Sequence, residues 1–107
     1  MAEWNQLAND FKMCVVIYRE AQAGRLLWFT RLSELLKDDM TRHELSMLED
    51  KLQDIGVLYK KYEAVDGINS CCYFIVGEAQ NLIKNISENL TNAPAIFKEG
   101  EPNVRGI

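Results

Sequence analysis

Through the first third of this 107-residue chain, one stripe of residues recurs at alternating spacings of three and four. That period constrains the fold more than any other feature of the sequence. The stripe runs Trp4, Leu7, Phe11, Cys14, Tyr18, Ala21, Arg25, Trp28, Leu32 and Leu35, with Arg25 as its one charged member. It predicts a helix from about residue 3 to residue 38. Gly24 costs about 1 kcal/mol relative to alanine inside a helix and marks the point where this one would bend or break.

The segment "DDMTRHE" reads as a stop followed by a new start. Thr41 and Glu44 have the spacing of a capping box, in which each side chain satisfies an amide that the first helical turn leaves unpaired. Leu45, Leu48, Leu52, Ile55, Tyr59 and Tyr62 then predict a second helix over residues 41–65. "DGIN" supplies a turn. Ile68, Cys72, Ile75, Ala79, Leu82, Ile86 and Leu90 predict a third helix over residues 68–91. From residue 92 the period disappears and both prolines of the chain occur, so residues 92–107 read as a non-helical, extended C-terminal tail. The expected fold is all-α: one antiparallel three-helix bundle spanning residues 1–91, because short connections make long helices antiparallel neighbours.

Two runs test that reading. "MCVVIY" (residues 13–18) and "CCYFIV" (residues 71–76) are unbroken apolar stretches that also satisfy the pattern of a buried strand. Each lies within a stripe of helical period, and the flanks favour helix over a small α+β fold. As helical turns they would be apolar all round and would need neighbours on every side. Self-association as a homodimer through Val15, Val16, Tyr18, Tyr73 and Phe74 is therefore expected, with packing of the two runs on each other as the alternative.

The net charge of −4 is concentrated. From Asp38 to Asp54 six acids meet two bases, and elsewhere ten acids meet ten bases. This balance argues against nucleic acid as the partner, including through a Lys12, Arg19 and Arg31 face of the first helix. It suits a protein partner, engaged by Asp38, Asp39, Glu49 and Asp50 at the acidic junction and by Ile96 and Phe97 in the tail. The start of the chain has no basic segment followed by an apolar one, and no apolar stretch is long enough to span a bilayer, so a cytoplasmic protein without membrane contact is expected.

Little in the chain points to chemistry. Cys14, Cys71, Cys72 and His43 are the soft ligands present, and their spacing matches no zinc motif, so neither metal nor cofactor is expected. The leading reading is a small acidic interaction module without catalysis, such as an adaptor, chaperone, immunity protein or phage-type inhibitor. The alternative is a helical oligomer that binds or converts a small ligand between subunits, around His43, Arg25 and Glu44.

Overall fold

The computed structural model describes residues 2–91, so the tail at 92–107, with Ile96 and Phe97, lies outside the described residues. The chain is mixed α/β. Strand β1 (Ala2–Glu3) leads through a single 3-10 turn (Trp4–Gln6) into helix α1 (Asn9–Gln22), followed by α2 (Phe29–Leu35) and α3 (Arg42–Asp54). A hairpin of β2 (Leu58–Val65) and β3 (Ile68–Ile75) comes next, then α4 (Gly77–Glu88) and β4 (Leu90–Thr91). β1 pairs in parallel with β4, which brings the two ends of the described chain together.

The expected three-helix bundle is thus corrected to four helices and an antiparallel hairpin, and two backbone devices explain the difference. The first is the way α1 and α3 end. Beyond α3, Gly56 has a φ of 80°, its amide donates to the Gln53 carbonyl at 3.1 Å, and the Val57 amide donates to the Leu52 carbonyl at 3.0 Å. These are the two hydrogen bonds of a Schellman motif, which needs a left-handed residue just past the cap. Gly24 ends α1 in the same way, with the Arg25 amide on the Glu20 carbonyl at 2.8 Å. The helix expected over 3–38 is therefore divided, and the one expected over 41–65 stops at Asp54.

The second device is the turn between the strands. Val65 pairs with Ile68, leaving Asp66 and Gly67 as a two-residue loop with φ values of 53° and 79°. Positive φ at both positions is what a type I′ turn requires, and its twist matches that of the strands it joins. "DG" between two runs of strand-forming residues is thus a hairpin signal, and residues 68–75 continue as strand where a helix is expected from apolar spacing alone.

The capping box is present as expected, with the Glu44 amide on Thr41 Oγ1 at 3.1 Å and the Thr41 amide on Glu44 Oε1 at 2.8 Å. Helix α1 is the centre of the core and packs against α4, β3 and α3. Met13, Cys14, Val15, Val16 and Ile17 are all buried, so the neighbours that "MCVVIY" needs on every side come from the same chain. "CCYFIV" meets the same need as a strand. Cys72 and Tyr73, whose side chains point to opposite faces, are 0% and 2% exposed.

Two ion pairs lie against this core. Lys12 is buried with its Nζ 3.1 Å from Asp39 Oδ1, which also accepts from Trp4 Nε1 at 3.2 Å. Arg25 meets the buried Glu20 through two parallel bonds of 3.1 and 3.0 Å, the bidentate geometry in which a guanidinium binds a carboxylate most strongly. That bond to Glu20 is the main cause of the rise in the Arg25 pKa. Among the described residues no buried side-chain nitrogen or oxygen lacks a partner. No described helix is long and apolar enough to cross a membrane.

The turn gives a direct test. Gly67→Ala places a side chain at a φ of 79°, which costs about 1–2 kcal/mol. Gly77→Ala meets nothing within 4 Å at an ordinary helical position and stabilises by up to about 1 kcal/mol. Urea denaturation of the two variants is expected to shift the midpoint in opposite directions.

Candidate functional site

Helix α3 buries only one narrow stripe. Leu45 and Leu52 are in the core and Leu48 is half-buried against it. Its outward residues His43, Met47, Asp50 and Asp54 follow at spacings of four, three and four, with Arg42 and Ser46 exposed beside them. Charge along this side of the helix is mixed: Arg42, His43 and Glu44 stand in the first turn, and Asp50, Lys51 and Asp54 in the C-terminal half. Arg42 lies 5.1 Å above the ring of Phe29, so the first turn of α3 is held against the first turn of α2.

The hairpin is fixed to α3 through Glu49. The Tyr73 hydroxyl, reaching out from a buried ring, donates to Glu49 Oε1. Lys60 Nζ donates to Glu49 Oε2 at 3.2 Å. Strand register makes this possible, because Lys60 and Tyr73 are directly opposed and so project from one face of the hairpin. Burial is the main cause that raises the Tyr73 pKa, and the carboxylate of Glu49 adds to it by hydrogen bond and by charge. The Tyr73 amide also donates to the Leu27 carbonyl at 2.9 Å, which attaches the segment before α2 to the free edge of β3.

Around this contact lies a cleft of about 450 Å³. Trp28 and Phe29 form its aromatic side, Thr30, Ser46 and Ser70 line it, and Cys71 is half-buried at its wall.

The structure distributes the residues expected from sequence to different fates. Of the acids expected to bind a partner, Asp38 and Asp50 are exposed, while Asp39 and Glu49 are engaged within the chain. Of the residues expected at a self-association surface, Val15, Val16 and Tyr73 are in the core. Tyr18 is half-buried against it, and Phe74, also half-buried, stacks on Tyr59 with ring centroids 5.3 Å apart. His43 is exposed, Glu44 serves the capping box and Arg25 is bound to Glu20. Lys12, Arg19 and Arg31 share no helical face. Lys12 pairs with Asp39, Arg19 reaches Ser87 at 3.2 Å and Arg31 belongs to α2. The described residues contain no group of three His, Cys, Asp or Glu able to hold a metal ion.

Sequence reasoning missed Lys60, Trp28 and Ser46. The available signal was the "DG" turn, since a two-residue loop sets the register that places Lys60 opposite Tyr73. No family model matches the chain, and no curated protein and no solved structure matches it either.

The buried groups predict an alkaline limit to stability. Burial pushes the Cys14 thiol up from 9.0 to about 12, with the Asp10 charge adding to the rise. A raised folded pKa favours the protonated form, so the contribution is complete below the unfolded value and is lost as pH climbs through the folded one. Stability is expected to fall between pH 9 and about 12 for Cys14, and further above the ordinary phenol value for Tyr73. Urea midpoints measured across this range check the slope, which Cys14→Ala is expected to reduce at its lower end and Glu49→Gln at its upper end.

Proposed function

We propose that the chain is a non-enzymatic binding module in which α2 and α3 act as a helix-turn-helix unit on duplex DNA, with the β2–β3 hairpin as a second contact. The observation that carries this reading is the outward face of α3. It belongs to the last of three successive helices, its N-terminal half exposes His43, Glu44 and Ser46 together with Arg42 stacked on Phe29, and a hairpin with an exposed tip follows it. In helix-turn-helix proteins the second helix enters the major groove and its N-terminal residues meet the base edges. Arginine and serine are side chains that read those edges. In that pose Asp50 and Asp54 stand in the half of the helix that would lie farther from the bases, while Glu44 stands in the nearer half. The inference passes from arrangement to function by analogy of fold.

The net charge of −4 tells against sequence-independent affinity for phosphates, the ground on which nucleic acid is not expected from the sequence. Reading of bases is a local matter, and phosphate contacts carry no sequence information. Binding is therefore expected to be selective, with few phosphate contacts and a shallow dependence on salt.

A second reading has its own support. Met47, Tyr62 and Ile68 are 61%, 66% and 68% exposed, and the hairpin tip presents the exposed Asp66. Apolar side chains within an acidic surface also suit a basic protein partner, the class expected from the sequence.

Selection from a random-sequence duplex pool separates the two. Under the DNA reading a defined site emerges, and Arg42→Ala weakens binding to it by about tenfold or more while the fold is retained. A pool that returns no enriched site at low salt would overturn the DNA reading and leave the protein partner to be sought.

A further inference from the structure

The hairpin has one covered edge and one open edge, and its hydrogen-bond pattern tells them apart. In an antiparallel pair, opposed residues alternate between those that exchange backbone bonds and those whose amides and carbonyls point away from the partner strand. The two-residue turn makes Val65 and Ile68 a bonded pair, and the Val76 amide on the Val57 carbonyl at 2.9 Å keeps the same alternation at the far end. Lys60, Tyr62 and Ala64 therefore turn their backbone groups outward from β2, as Tyr73 does from β3, where its amide meets Leu27. Among the described residues this sheet has only β2 and β3, and no backbone hydrogen bond reaches the outer edge of β2. Lys60, Lys61, Tyr62 and Ala64 are exposed along it. An edge of this kind is a template for a further strand. Lysine on an edge ordinarily keeps strands apart, but here Lys60 is paired with Glu49 at 3.2 Å and Lys61 with Glu63 at 3.4 Å.

We propose that β2 pairs antiparallel with β2 of a second copy of this chain, about a two-fold axis at Tyr62, joining the two hairpins into one continuous sheet. The strand is complementary to itself in this register and in neither neighbouring one. Outward backbone groups recur at every second residue, so the register moves only in steps of two. With Tyr62 opposite Tyr62 of the second copy, Lys60 pairs with Ala64 and Lys61 faces Glu63, each on both sides of the axis. A step one way sets Lys61 against Lys61, and a step the other way sets Glu63 against Glu63. Like charges directly opposed are destabilising, whereas opposite charges and aromatic pairs across strands stabilise. A patch that is its own complement is what a two-fold interface requires. The interface uses none of the residues expected from sequence for self-association. It stands apart from the DNA reading, because its test contains no nucleic acid.

Sedimentation velocity of the full 107-residue chain is expected to show a dimer whose share rises with concentration up to about 1 mM. Amide hydrogen exchange locates the contact, with Lys60, Tyr62 and Ala64 expected to gain protection as the dimer forms. Lys61→Glu turns both attractive pairs into repulsive ones and is expected to weaken the dimer by about tenfold or more, as is Glu63→Lys. The variant carrying both substitutions again opposes unlike charges and is expected to regain the dimer, with circular dichroism confirming that each variant is folded. A monomer at every concentration would overturn the proposal. So would a dimer that leaves those amides unprotected, or one that the double exchange of charge does not restore.

Discussion

Tyr73 is held at both ends, and the arrangement of the hairpin follows from that. Its amide donates to Leu27 ahead of α2, its ring is buried among the residues around α1, and its hydroxyl ends on Glu49 of α3. One residue of β3 thus joins the segment before the second helix, the core and the third helix. The hydroxyl bond matters more than its net strength suggests, because removing one partner would leave a polar group without its bond at the edge of a core. Lys60 closes the other side of Glu49 and completes the polar contact between α3 and the hairpin.

With the hairpin and α2 fixed in this way, α3 can afford to bury little. Leu45, Leu48 and Leu52 anchor one side, Glu49 meets the hairpin, and His43, Met47, Asp50 and Asp54 stay open. An ordinary surface helix is open too. What distinguishes this one is its neighbourhood: Arg42 stacked on Phe29 at one end, a hairpin with an exposed tip beside it, and a cleft lined by Trp28, Phe29 and Lys60 between the two. The functional reading is an inference from that juxtaposition, and the fold supplies the positions that make it specific.

Much of the helical part of the fold was legible in the sequence. The Thr41–Glu44 capping box, a break at Gly24 and a helical "MCVVIY" can each be traced to a local signal. The hairpin was misread because its apolar positions fall by coincidence on a helical period. Ile55, Tyr59 and Tyr62 continue the phase of Leu52, yet they are 61%, 45% and 66% exposed and form no buried stripe. In β3 the opposite problem arises. Cys72 and Tyr73 are buried on opposite faces, so the alternation that marks a half-buried strand is missing. Gly56 reads as a small residue inside a helix but stands past the end of one. The candidate site was legible only in part, since Glu49 and Asp50 were singled out for their charge while the partners of Glu49 depend on strand register. Asp39 was selected on the same ground and lies with Lys12 and Trp4.

The claim on which the rest depends is that Tyr73 and Glu49 join the hairpin to α3, and a double-mutant cycle measures it directly. Tyr73→Phe, Glu49→Ala and the double variant are compared with the parent by urea denaturation at neutral pH. The structure predicts a coupling energy of about 1–3 kcal/mol, as for hydrogen bonds to charged groups. Additive effects, with no coupling beyond about 0.3 kcal/mol, would contradict the contact and detach the hairpin from the face of α3.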